Sequence, residues 1–518
     1  MYIYKYIHQS ESSYKPGSIQ THGFILICSE ELQIIGVSDN TAVIISTNPK
    51  ELIGKYIGDV FGKDTSDFLL KHYRNSKEVP KILVSRTNHL FSPHLQVISH
   101  RNTDGLIILE FENVFSNDKD VEFFNEVLKE SFPLIQNAKT SKELFRIAAL
   151  TFRKITDYDR AFVILFDEEY NGEVVGESKL KQIRNSYLGL NLPFISVFKE
   201  SMPLTYLNVV QRIPDTLKKP SPIITDEDHS AYSIDLANSY LKSVPAPYLE
   251  YLASLGVRSS LKVSLIHEQK LWGMVVCRNN SPKNLSFLIK TFSMMLGNLI
   301  SIQYNYIREK EETQFLNSNR DLQHKIMSSI TDELTVCSRL TDFTPNISNL
   351  IECCGASLSY QGEVHNLGQT PASIEKLREL ISDKMNGNLF YTESIQRDLP
   401  EAEFVKSNIC GVVACRIGND KSNMIIWYRK ELKRVVNWAL IPKKNKNGIS
   451  SEQNNIDKKM EIREESVKHY SKRWTKPEIK AISNFGNLLT EIIMQRFDVL
   501  KNYESRNPNI CIDEDVAV

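Results

Sequence analysis

A chain of 518 residues with 41% hydrophobic and 24% charged side chains carries apolar material for roughly two to four globular domains. Lysine plus arginine and aspartate plus glutamate each total 63, so the net charge is zero and the bulk composition gives no footprint for nucleic acid. The opening MYIYKYIHQSESSYKPG lacks the basic start and apolar stretch of a secretion signal, and the most apolar long window, 292–307, is interrupted by Asn298, Gln303 and Asn305. A soluble protein with no membrane segment is expected. The cysteines form no CxxC pair and no His/Cys grouping at zinc spacing, and several lie inside apolar runs such as ILIC, MVVC and VVAC. They read as small buried hydrophobes in a reducing, cytoplasmic setting, with no metal site expected.

Residues 18–112 alternate short apolar runs with turn signals (GFILICS, LQIIGVS, KILVSR, LQVISHR, GLIILEFE), which is the two-residue period of an antiparallel sheet. After the polar break at 116–120, a helix is predicted over 121–135 with Phe123, Phe124, Val127, Leu128 and Phe132 on one face. A second α+β block runs from about 125 to 305. AFVILFD (161–167) and EVVGES (173–178) make a hairpin in outline, and LKVSLIHEQKLWGMVVCR (261–278) is a strand pair around HEQK. Asp167 and Glu168 are adjacent at a strand end, point apart, and read as turn residues rather than an acid–base pair; His267 reads as a solvated turn residue rather than an axial ligand. The Pro-rich connection at 212–233 is long for a compact domain, a feature that loops with a function share.

From 285 to about 334 the helical pattern is nearly unbroken, and Leu322, Ile326, Ile330 and Leu334 recur every four residues. A helix of that length needs something to cover its seam, so pairing with a second copy is expected. A third α+β block spans about 335–500, with strands at GVVACRIG and NMIIWYRKE and a closing helix over 477–505. Between Trp438 and Trp474 lies a stretch rich in Lys, Asn, Ser and Glu that reads as a long protruding arm or a partly disordered loop, and its basic run Lys443–Lys446 as a solvated loop.

The order of these blocks and five motifs together resemble the photosensory core of phytochromes, the bacterial ones in particular. PGSIQTHGFIL (16–26) looks like the opening of the phytochrome PAS domain, and YDRAFVILFDEEYNGEVVGES (158–178) is similar to its GAF hairpin. YLGLNLP (187–193), YLEYLASLGVRSSLKVSL (248–265) and LWGMVVC (271–277) continue the series in order. The resemblance covers roughly 14–500 and implies three α+β domains: PAS-like over 1–120, GAF-like over 121–305 and PHY-like over 306–518. Each is an antiparallel sheet with flanking helices, joined by a long helix. The excursion at about 439–473 takes the place of the PHY tongue, and Ile19 is placed in a lasso made from parts of 207–245.

Phytochromes bind a linear tetrapyrrole, and the resemblance says which positions would hold it. His8 stands at the expected attachment cysteine of bacterial members, and the plant-type cysteine–histidine pair reads Tyr248–Leu249, so no covalent attachment site is present. The pocket aspartate becomes Ser196, with Phe194 and Phe198 adding bulk. The capping histidine is Tyr248, the second pocket histidine Arg278 and a hairpin tyrosine Ile164. Of the two propionate arginines, one position is Gln211, beside Arg212, and the other is Lys242. Lys242, Ser259, Ser260 and Ser264 keep ligand-facing chemistry, although a serine there is also ordinary strand-edge usage. The tongue arginine has its nearest candidate in Arg463.

The fold-forming Gly17, Gly23, Trp272 and Gly273 remain while the ligand-facing residues differ together. The pocket is therefore expected to be closed by Phe194, Phe198, Met202, Tyr248 and Ile164, with no cofactor bound. The alternative is a photoreceptor holding biliverdin non-covalently; a small-molecule GAF sensor is a third reading, without a phosphate-cradling loop to support it. No Ser/His/Asp order, metal cluster or Walker-type loop is readable, and no kinase or cyclase domain follows the third block, so no enzyme activity is expected. A phytochrome-like signalling module that acts as a homodimer on an unknown downstream protein, without nucleic acid or membrane, is the leading expectation.

Overall fold

The computed structural model describes residues 14–74, 83–85, 95–113, 118–168, 170–192, 209–330, 335–402, 405, 408–432, 434–440 and 461–506. The chain divides into two compact units, 1–307 with 437–463, and 308–436 with 464–518.

The first unit begins with β1 (Ser18–Ile19), β2 (Gly23–Cys28) and β3 (Ile34–Ser38), then short helical turns and α1 (Lys63–Arg74). β4 (Leu83–Ser85), β5 (Leu95–Arg101) and β6 (Ile107–Asn113) follow, then α2 (Asp118–Asn137) and α3 (Ser141–Thr156). Thr140 caps α3 by accepting from the Glu143 N–H, and Asp157 ends it in the left-handed conformation. The next elements are β7 (Arg160–Phe166), β8 (Gly172–Lys179), β9 (Asn191–Leu192), β10 (Val210–Ile213) and β11 (Ser221–Thr225). α4 (Ala246–Ser254), β12 (Ser259–His267), β13 (Lys270–Asn279) and α5 (Phe287–Ser328) complete it. α5 starts in this unit and ends in the other.

The amino-terminal sheet has the order β1-β11-β3-β2-β6-β5-β4, so a strand from far along the chain sits inside it. On one side β1 pairs with β11, Ser18 opposite Pro222 and Ile19 opposite Ser221. On the other side Gln20 N–H donates to Leu241 O (2.7 Å) and Ser243 N–H to Ser18 O (3.2 Å). The segment thus lies between β11 on one side and residues 241–243 on the other, with Ile19 wholly buried, the neighbours expected for it within 207–245. Gly17 permits the entry: its φ is +64°, and a Cβ there would stand 2.7 Å from the Tyr232 ring.

The second sheet has the order β10-β12-β13-β7-β8-β9 and continues from β9 into two strands of the 434–467 stretch. β12 and β13 close as a hairpin with His267 opposite Lys270 and positive φ at both Glu268 and Gln269, the geometry that matches strand twist. One face packs on α3 and α5 through Phe145, Phe152, Val263, Val275 and Ile300. Trp272 stacks on Tyr304 at 4.2 Å and donates from Nε1 to Ser301 Oγ at 3.2 Å. Gly273 is needed because a Cβ there would lie 2.6 Å from the Ile164 carbonyl oxygen.

The second unit contains α6 (Val336–Thr341), β14 (Gly355–Tyr360), β15 (Glu363–Gly368), α7 (Ile374–Lys384), β16 (Leu389–Thr392), β17 (Ile409–Arg416) and β18 (Met424–Lys430). β19 (Arg434–Leu440) and β20 (Glu461–Val467) each straddle the division between the units, and α8 (Lys476–Arg506) belongs to the second. Its sheet runs β15-β14-β18-β17-β16. α8 starts where Thr475 and Glu478 form a reciprocal cap, and Glu478 also takes a buried 2.5 Å ion pair from Arg429. Ile326 and Ile330 are buried in this unit's core and Leu322 packs against it, so part of the four-residue stripe is covered within the chain. The three sheets with their helices make an α+β protein, as the strand and helix periods predict.

Candidate functional site

Strand alternation decides what faces the chamber between the second sheet and α4. On β12, Leu261, Val263 and Leu265 point into the main core, which turns Ser260, Lys262 and Ser264 to the opposite face. On β13 the same face presents Met274, Val276 and Arg278, and on β7 Phe162 and Ile164. α4 covers it with Tyr248, Leu252 and Leu255, all buried in one apolar cluster with Phe162, Ile164 and Met274. Ser259 has the other parity and donates its hydroxyl to Ser281 O at 3.0 Å, a structural contact away from the chamber.

Two cations sit in this apolar setting. The Lys262 ammonium lies 4.5 Å from the centre of the Tyr248 ring, and the Arg278 guanidinium 5.2 Å from Phe162 and 5.8 Å from Tyr187. Burial, then Arg278 and Lys242, pulls the Lys262 ammonium down to about 7. Opposite Arg278 in the ladder stands Arg160, which lies 3.6 Å from the Tyr187 ring and pairs with Glu177 at 3.1 Å. Arg278 Nε and Nη1 and Ser260 Oγ have no hydrogen-bond partner among the described residues. The two residues are cross-strand neighbours.

Of the residues singled out from the sequence, Ile164, Tyr248, Ser260, Ser264 and Arg278 meet at this chamber. Lys242 does not use its ammonium there: Nζ donates to Ala237 O at 2.5 Å, where the first sheet meets the second. Burial pulls it down to about 7 against Glu110 and Asp235. Gln211, opposite Lys262 in the ladder, keeps the chamber parity, whereas Arg212 turns away. Arg212 Nη2 pairs with Glu112 Oε2 at 2.6 Å, both buried, and Nη1 donates to Leu285 O. Burial pushes the Glu112 carboxyl up, but Arg212, Lys290 and His22 outweigh it and hold it at about 2. His8, Phe194, Ser196, Phe198 and Met202 lie outside the described residues. Arg463 falls in β20.

Lys262, Tyr187 and Arg160 escaped the sequence reading, although the alternation in SSLKVSL already puts Lys262 between Ser260 and Ser264 on one face. A separate hollow of about 320 Å³ opens beside Gln20, His22, Ile213, Lys218 and Leu249; neither Tyr248 nor Arg278 lines it. Asp167 accepts the Asn171 N–H at 2.8 Å in the β7–β8 turn. Strand β19 pairs in parallel with β9, Trp438 opposite Asn191.

Three family models match in succession: a PAS fold over 9–114, a GAF domain over 141–303 and a phytochrome region over 319–498. The chain is a phytochrome-like photosensory core. Cyanobacterial phytochrome B of Nostoc sp. is 30% identical over 498 residues, covering 94% of this chain and 66% of that protein. The chain spans about two thirds of the length of such curated phytochromes. The Stigmatella aurantiaca phytochrome photosensory core module superposes with a TM-score of 0.78 at 25% identity, over 94% of this chain and 98% of that one. A bacteriophytochrome of R. palustris also reaches 0.78 at 25% identity, over 95% of this chain and 100% of that one. Tyr248 and Arg278 put a phenol and a guanidinium into the chamber, both buried. Among the described residues no helix is long and apolar enough to cross a membrane.

Proposed function

We propose that this phytochrome-like core is a sensory and signalling module whose GAF chamber is filled by its own side chains and holds no bilin. The observation that carries this reading is the burial of Tyr248, Ile164 and Arg278 against Phe162, Leu252 and Met274 in one continuous cluster. A four-ring pigment laid against that face displaces the Tyr248 ring and strips Lys262 of its cation–π contact. The neutral imidazole donors and acceptors that suit pyrrole nitrogens are replaced by a permanently charged guanidinium, which repels a protonated pyrrole system. The chain has no catalytic step of its own in this reading and acts through a downstream signalling protein, in a reducing cytoplasm that suits the unpaired described cysteines.

Signalling by a second copy rests on α5. Leu296, Ile300, Tyr304 and Ile307 point into the GAF core, while Met295, Ile302 and Tyr306 stand exposed on another face at spacings of seven and four. An exposed apolar stripe at that spacing is what a parallel helix seam presents.

One observation favours the second reading, a photoreceptor with non-covalent biliverdin. Arg278 Nε and Nη1 and Ser260 Oγ stand without partners among the described residues, and a propionate carboxylate would satisfy all three. Protein expressed with excess biliverdin and passed over a desalting column separates the two readings. A flat spectrum above 600 nm is expected (roughly where a bound, conjugated bilin absorbs). A stoichiometric red band that survives desalting refutes the closed chamber.

A further inference from the structure

Outside the GAF chamber, one cluster in the second unit brings together side chains of metal-ligand type. Cys337 on α6 and Glu363 and His365 on β15 direct a thiol sulfur, a carboxylate oxygen and an imidazole nitrogen to within 4.8 Å of one another. His365 Nε2 and Glu363 Oε2 are 3.1 Å apart. Tetrahedral coordination at Zn–S of about 2.3 Å and Zn–N and Zn–O of about 2.0–2.1 Å places ligand atoms roughly 3.3–3.6 Å apart, a rotamer adjustment away.

The scaffold under the three groups is firm. Val336 and Leu340 on α6 are fully buried in the core of this unit, with Cys337 packed against it. Glu363, His365 and Leu367 share one face of β15, and Leu367 anchors that face to the same core. The β14–β15 hairpin fixes the register, with Tyr360 opposite Glu363 and Leu358 opposite His365 around Gln361 and Gly362, both at positive φ. The site is half-open: the cysteine and histidine are partly buried and the glutamate is exposed.

We propose that Cys337, Glu363 and His365 bind a borderline, thiophilic divalent cation of the zinc type, with water in the fourth position. One thiolate, one imidazole and one carboxylate make a mixed S, N, O set that suits zinc and disfavours magnesium or calcium, which take oxygen ligands. Binding replaces the S–H bond with a metal–sulfur bond and releases one proton to solvent, with no change of oxidation state. The ion joins α6, the first helix after α5, to the outer hairpin of the sheet, and so ties the exit of the long helix to this unit's edge strand. The charged groups facing the thiol are Glu363 and Asp342, with His365 alongside. Burial, then Glu363 and Asp342, pushes the Cys337 thiol up to about 11.

The test is a cobalt(II) titration of the full chain after treatment with a chelator. A thiolate-to-cobalt charge-transfer band in the near ultraviolet is expected at one equivalent, with visible bands of four-coordinate cobalt, and zinc should bleach both. Cys337→Ser should abolish the band, His365→Gln and Glu363→Gln should each weaken binding at least tenfold, and Cys353→Ser should change nothing. The proposal is overturned by the absence of a charge-transfer band, by a band that persists in Cys337→Ser, or by an affinity unmoved in His365→Gln. The last variant is at a partly exposed strand position, so its folding is not at stake, and circular dichroism verifies the cysteine variant.

Discussion

Tyr248→Ala is the sharpest probe of a chamber filled from within. The side chain is 8% exposed, lies in a cluster with Phe162, Leu252 and Met274, and carries the Lys262 ammonium 4.5 Å from its ring centre. A buried aromatic removes at least about 150 Å² from water, worth about 4 kcal/mol at 25 cal/mol/Å² and about 3 once the compactness of the unfolded chain is allowed for. Loss of the cation–π contact adds about 0.5–2 kcal/mol, because Lys262 stays buried without its ring. The variant should therefore lose about 3–5 kcal/mol, a drop of about 6–20 °C in the GAF transition. Tyr248→Phe keeps the ring and should stay within about 1 kcal/mol of the parent. Urea titration followed by Trp272 fluorescence, with calorimetry alongside, measures both. A loss below about 1 kcal/mol for Tyr248→Ala would show that the ring borders open space, and the closed-chamber reading fails.

Three further outcomes are expected. Arg212→Met leaves the Glu112 carboxylate buried without its guanidinium and should cost about 3–5 kcal/mol. Adding Glu112→Gln should restore part of it, and additive losses in the double-mutant cycle would contradict a direct pair. His22 and His100 lie near carboxylates, at 3.9 Å from Glu112 and 3.5 Å from Glu110, yet burial, helped by Arg212 at His22 and by Lys242 at His100, pulls both down to about 3. Both are therefore neutral when folded, and their stabilisation is complete above the unfolded value of about 6.5 and lost as pH falls toward 3. Burial shifts Glu110 upward, which offsets one histidine on acidification, so a net loss of about 1.4 kcal/mol per pH unit is expected between 6.5 and 4.5. Denaturant titrations that show no slope in that window would rule out neutral buried imidazoles. Finally, Met295→Lys with Ile302→Lys should convert a dimer to a monomer by light scattering without unfolding it, since both side chains are exposed. An unchanged mass would move the self-association elsewhere.

Much of the architecture was legible because it rests on local periodicity. AFVILFD and LWGMVVC announce strands through β-branched and apolar runs, and the structure places them as β7 and β13, paired with Met274 opposite Ile164. The closing helix expected over 477–505 is found over Lys476–Arg506. Five motifs in order sufficed for the family, and the same motifs put Ile164, Tyr248, Ser260, Ser264 and Arg278 on one chamber. Lys242 shows the limit: a position that faces ligand by resemblance has its ammonium donated to the Ala237 carbonyl instead, a contact between two loop residues that no strand period announces.

The sequence alone determined the main strands and helices and their order, since backbone hydrogen bonding imposes periods of two and 3.6 on any chain, although Phe123 and Phe132, expected on the apolar face of α2, stand exposed. Only the tertiary structure decided which side chains meet. Arg212 finds Glu112 across 100 residues, and Cys337 finds His365 through a hairpin register. Neither encounter has a spacing to read, because both depend on how separate faces are laid against one another.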